Sequence, residues 1–216
     1  SYESRLRPSG SGASVELSPV DSGVDDLLSR YGISVPKQMV LNSESFPLTY
    51  SMGPFGGQLT VDFRWTFKLD AGNFDHTTAI TNNVSGFVLV DAAAPVKLDE
   101  AKLKEAGLTA TPILSTGKNA WTREVPTSEV PADLNDPRPA EGPIALAALV
   151  RGTFKAPDGA PPSWPGAEPT PEPAPPAIEP KPGSLLVVGM SRPFLDQMIA
   201  DPNGGVAWSG LLLKNA

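Results

Sequence analysis

The sequence predicts an α/β domain with a central, mainly parallel sheet and short helices on its faces. Three observations carry that expectation. Residues 184–190 (SLLVVGM) form a continuous apolar run, as a strand covered on both faces requires. Ser191 then sits where a cap is needed, ahead of a helical stretch at 193–200, giving a strand–turn–helix unit. Upstream, strand-length apolar runs alternate with short helical segments at 24–31 and 98–106.

The elements follow in order. Residues 1–14 (SYESRLRPSGSGAS) are polar and Gly/Ser-rich and read as a frayed lead-in to a single domain over 15–216. Val24, Leu27, Leu28 and Tyr31 recur at helical spacing, with Asp21 or Ser22 as cap and Gly32 as terminator. Residues 33–41 (ISVPKQMVL) read as a strand, Pro36 placing it at an edge or bend. The alternation of Leu59, Val61, Phe63, Trp65, Phe67 and Leu69 predicts one strand with a buried face. Residues 77–83 are loop-like, 85–90 a strand, and 98–106 a short charged helix unless Gly107 closes a turn instead. A strand at 109–115 leads into the polar turn STGKNAW, and Pro126, Pro131, Pro137 and Pro139 make 123–141 irregular. Residues 144–154 (IALAALVRGTF) are an apolar strand.

Many of the chain's 25 prolines lie at 156–182, interleaved with Glu and Ala. Such a segment favours extended conformations and buries little, so it reads as a long solvated loop, with a proline-rich recognition motif as the alternative. After the helix at 193–200, a further helix is expected over 206–213, with Trp208, Leu211 and Leu212 on one face.

Composition narrows function. The net charge of −7 repels phosphate backbones, which sets nucleic acid aside as a partner. There is no cysteine, hence no thiolate nucleophile or Cys-containing zinc site. The single histidine, His76, leaves no spare imidazole for a triad or a His-rich metal site. Asp75 beside it reads as structural. No apolar run is long enough to span a bilayer. The chain begins without Met and reads as a piece of a longer parent whose anchor lies elsewhere. Gly56-Gly57 and Gly204-Gly205 lack the context that phosphate binding requires. No catalytic residue, metal or cofactor is expected.

Six segments, taken in order, resemble the extracytoplasmic domain of the gliding-motility-type (GldG-like) auxiliary family of ABC transporters. They are VDDLLSRYGISVPKQMVLN, AGNFDHTTAITNNVSGFVLVDAAAPVKL, TATPILSTGKNAW, GPIALAALVRGTF, SLLVVGMSRPFLDQMI and GGVAWSGLLLKN. Thr77 stands where that family has proline, and Met190, Ser191 and Arg192 replace its usual acidic pair. The family's upstream half has no counterpart.

The resemblance implies a three-layer, Rossmann-like sheet akin to a degenerate glutamine amidotransferase, possessing here neither that enzyme's cysteine nor its activity. It implies an auxiliary subunit on the periplasmic side of the inner membrane. Its partners would be the permease or other membrane subunits. The alternative is a solute- or glycan-binding module. Ligands of open α/β sheets bind at strand carboxyl ends, so the candidate contact residues are Thr116, Lys118, Trp121, Ser191 and Arg192. Trp121 either stacks on a ligand or packs as a lid on the core.

Overall fold

A computed structural model describes residues 2–9, 12–51, 57–125, 134–155 and 180–190. The proline-rich loop, apart from its flanks, lies outside the described residues, as do the helices expected at 193–200 and 206–213. Thirteen strands, two short α-helices and one 3-10 turn make up the described part.

Every strand pair in it is antiparallel, which overturns the mainly parallel, Rossmann-like expectation. β1 (Tyr2–Ser9) and β2 (Gly12–Pro19) form a hairpin where a frayed lead-in was expected. The strand expected at 33–41 breaks at Pro36 into β3 (Ile33–Ser34) and β4 (Gln38–Asn42). β5 (Leu48–Ser51) pairs with β6 (Gln58–Val61), and β7 (Thr66–Asp70) with β8 (Phe87–Asp91). β9 (Lys97–Leu98) joins β3. β10 (Leu108–Ser115), β12 (Ala145–Thr153) and β13 (Pro182–Val188) make a three-stranded sheet with β12 in the middle, while β11 (Ala120–Glu124) pairs with β4.

The physical reason for the wrong fold class is visible in β12 and β13. A run that is apolar at consecutive positions reports cover on both faces and says nothing about strand direction. Ala147 and Leu149 face one core cluster, with Phe67, Val88 and Ile113. Ala148 and Val150 face another, with Leu28, Leu103 and Val187. Helices cover one side and the β7–β8 pair the other, so an antiparallel sheet acquires the signature usually left by a parallel one.

The single strand expected through 59–69 also divides. The Arg64 N–H donates to Asn135 Oδ1 at 2.9 Å and its Nε to the Asn135 carbonyl at 2.7 Å, while Thr66 N–H closes onto Phe63 O at 2.9 Å. Phe63 and Trp65 stack with ring centroids 4.2 Å apart. These contacts hold a turn that sends β6 to β5 and β7 to β8, although the alternation of apolar residues runs on unbroken across it.

Two local expectations hold. Helix α2 (Glu100–Glu105) starts at Asp99, whose carboxylate accepts from the Lys102 N–H at 3.1 Å. Helix α1 (Asp25–Arg30) ends at Gly32 with φ +76°. Its N-terminus differs from expectation: Val24 occupies the cap position without a side-chain hydrogen bond, and Asp21 instead accepts from Gly23. A Cβ on Gly32 would come within 2.8 Å of Lys102 Cβ and 2.9 Å of the Asp99 carbonyl. Gly32→Ala is therefore expected to cost about 1–3 kcal/mol, read as a lowered urea midpoint with an unchanged slope.

Residues 92–96 (AAAPV) form a fully buried strap whose backbone ties the sheets together. Ala92 N–H donates to Trp65 O at 3.1 Å, and Val40 N–H donates to Ala93 O at 2.8 Å. Ala94 N–H donates to Gly189 O at 2.7 Å and Val96 N–H to Ala145 O at 2.8 Å. Small residues are required because four segments approach this backbone closely. Sequence reading assigned the stretch no role.

Candidate functional site

Of the five residues expected to touch a ligand or partner, Thr116, Lys118 and Trp121 are described; Ser191 and Arg192 lie outside the described residues. The first three do not share one surface. Thr116 is 3% exposed, accepts from the Ile144 N–H at 2.9 Å and donates to the Gly117 carbonyl at 3.0 Å. It clamps the turn to the start of β12. Lys118 stands exposed on the turn's crest beside Gly117 and Asn119.

Trp121 belongs to β11 rather than to the turn, and it is 1% exposed. It packs with Met39, Leu41, Trp65, Val125 and Leu134 in the second core cluster. The Arg64 guanidinium lies 5.8 Å from the ring centroid, and no described residue accepts from the indole N–H. In this packing neither face of the ring is open for stacking on a sugar, and the geometry matches a core lid.

Asp75 and His76 sit on a loop pinned to β10 by the Asp75 N–H to Ile113 carbonyl bond at 3.1 Å. The Asp75 carboxylate accepts from Thr77 N–H at 3.0 Å and Thr77 Oγ1 at 2.8 Å. His76 Nε2 meets the Ala71 carbonyl at 2.8 Å, and the Thr81 hydroxyl donates to the Asp75 carbonyl. These bonds shape the loop and aim neither side chain at the other. Among the described residues no group of three or more His, Asp or Glu is placed to hold a metal ion.

Tyr2 is a described titratable side chain with a displaced proton affinity. Burial raises its phenol above the ordinary range, a backbone hydrogen bond at Val125 opposes the rise, and Glu124 adds to it. The hydroxyl also donates to Lys37 O at 2.9 Å. The folded chain thus holds this proton more tightly than the unfolded chain does. Its contribution to stability is whole below about pH 10 and is lost as the pH rises through the folded value. Tyr2→Phe should flatten the fall in thermal stability above about pH 10, and an unchanged alkaline profile would place the cause elsewhere.

A cleft of about 190 Å³ was not foreseen from the sequence. Val20, Val24, Leu28, Val35, Leu186 and Val188 form its apolar wall, with Asp25 and Lys37 among the lining residues. Of the residues that recur at helical spacing around α1, Val24 is 42% and Leu27 43% exposed. The available signal was the concentration of Val20, Val24, Leu27 and Leu28 around one short helix.

Comparison with known proteins gives one finding about family. The model of a family described as an ABC-type uncharacterized transport system, auxiliary component, matches residues 2–212. No curated protein and no solved structure matches the chain.

Proposed function

The chain belongs to the auxiliary-component family of an ABC-type uncharacterized transport system, and on that footing we propose that it is a non-catalytic, extracytoplasmic domain that contacts the permease or the transported substrate. Membership itself implies association with transporter subunits. The observation that carries the reading is the extent of the match, which runs through residues 2–212 and so takes in the hairpin, the sheets and the strap together.

Chemistry supports the non-catalytic part. The chain's one imidazole is engaged with a backbone carbonyl, and the chain has no thiol. The exposed turn at 117–119 is held in place by buried Thr116 and lifts Lys118 into solvent. We assign that turn as the contact patch, with Ser191 and Arg192 as further candidates. The gliding-motility subtype is the finer assignment within the family.

Both topology and contact are testable at Lys118. The chain has no native cysteine, so Lys118→Cys, with any cysteine outside residues 1–216 replaced, gives a single reactive thiol. A membrane-impermeant maleimide should label it in spheroplasts. A photo-crosslinking residue at the same position should yield an adduct with a transporter subunit or its substrate. Labelling only after the membrane is opened would refute the extracytoplasmic side, and an adduct with neither would refute the contact.

A further inference from the structure

Among the described residues the exposed large apolar side chains are Val20, Val24 and Leu27, and all three fall within residues 20–27. Scattered singly, such side chains need no explanation; gathered on one short helix and its lead-in, they mark a contact surface. That surface holds both a hole and a knob. Val20 and Val24 line the cleft of about 190 Å³ with Leu28, Val35, Leu186 and Val188, whereas Leu27 of α1 does not line it. Leu27 stands exposed beside a cavity that it does not enter. The cavity has room for one branched side chain, since an apolar cavity of about 150 Å³ is enough to hold benzene.

Charge on α1 is self-complementary in the same way. Asp26 lies in the first turn and Arg30 in the last. Being four residues apart, they share one side of the helix. Two copies of α1 laid antiparallel therefore set each Asp26 opposite the Arg30 of the other copy. A two-fold axis makes that contact twice, because one patch serves both partners. The same operation offers each knob to the other copy's hole. An unrelated partner would need a hole for Leu27, a knob for the cleft and charges in matching order. A second copy has all three.

We propose that α1 and the adjoining cleft form a two-fold interface between copies of this chain. Leu27 of each copy fills the cleft of the other, and Asp26 and Arg30 pair crosswise. The surface is one six-residue helix and a small cleft. It falls short of the roughly 1,000 Å² that a stable complex buries, so the dimer is weak, with a Kd on the order of 0.1–1 mM. This pairing stands whether or not the turn at Lys118 contacts a transporter.

Sedimentation equilibrium of the chain at concentrations up to about 1 mM tests it. Reversible self-association is expected, weakened about tenfold or more by Leu27→Asp, which would carry a carboxylate into an apolar cleft. Because Leu27 is exposed, that variant should keep the parent's circular dichroism and melting temperature. Asp26→Arg and Arg30→Asp each set like charges against one another, so each should weaken the homodimer several-fold, and more so at low salt. Mixed in equal amounts, these two variants should associate about as tightly as the parent, because every crosswise pair is again opposite in sign. A chain that stays monomeric throughout would overturn the proposal, as would dimers that Leu27→Asp leaves unchanged. So would a mixture of the two charge variants that associates no better than either alone.

Discussion

Replacing Trp121 by alanine is expected to lower stability by about 3–5 kcal/mol while leaving partner binding at the surface intact. The ring is 1% exposed and packs with Met39, Leu41, Trp65, Val125 and Leu134, so truncation opens a cavity where β4, β11 and the residues around Trp65 meet. For a chain of this size the midpoint of thermal unfolding should fall by about 6–20 °C. Trp121→Phe should cost much less. It keeps an aromatic ring in the cavity and gives up an indole N–H that no described residue accepts from. The two variants together separate the roles that a tryptophan beside a surface turn suggests. If Trp121→Ala melts near the parent temperature but loses its partner, the side chain is a contact residue after all.

Gly189→Ala is expected to be nearly as damaging, although it adds a single methyl group. The new Cβ would overlap the carbonyl oxygen of Ala94, and that oxygen belongs to backbone already fixed by neighbouring bonds. Gly189 N–H donates to Leu146 O at 2.8 Å, its carbonyl accepts from Ala94 N–H at 2.7 Å, and Val96 is tied to Ala145. No flexible side chain can move aside. The cost should be about 1–3 kcal/mol or more, and it should appear mainly as faster unfolding if the strap docks late in folding. The control is Gly117→Ala, where nothing lies within 4 Å of the added carbon and little change is expected. Equal effects at the two positions would mean that the strap does not hold the sheets as described.

What the sequence made legible were local features with local causes. The short helix within 98–106 and Gly32 ending α1 depend on bonds within a few residues, and both were expected, although the Asp99 cap was not singled out. Pro36 was expected to mark either an edge or a bend because proline lacks a ladder donor, and the strand breaks there. Strand direction was not legible. The pattern IALAALV in β12 reports burial on both faces, and parallel or antiparallel neighbours satisfy it equally. The turn between β6 and β7 was hidden for a related reason. It is fixed by Asn135, far along the chain, while the apolar alternation stays in phase through Phe63 and Trp65.

The site divides along the same line. The turn after β10 was found, since STGKN is turn chemistry that needs no tertiary contact. Trp121 was foreseen either as a ligand platform or as a core lid. Its position in β11 beside β4 decides between them, and that pairing joins segments far apart in sequence. The cleft required β13 to fold beside Val20 and Val24. Only the excess of apolar residues around α1 hinted at it.

The most direct test of the functional account is to isolate the protein from its native cells in mild detergent and identify what accompanies it. An auxiliary component predicts recovery of an ABC ATPase and its permease in fixed ratio, preserved in Trp121→Phe. Recovery of the protein without either subunit, under conditions where a known transporter complex from the same cells stays intact, would contradict it.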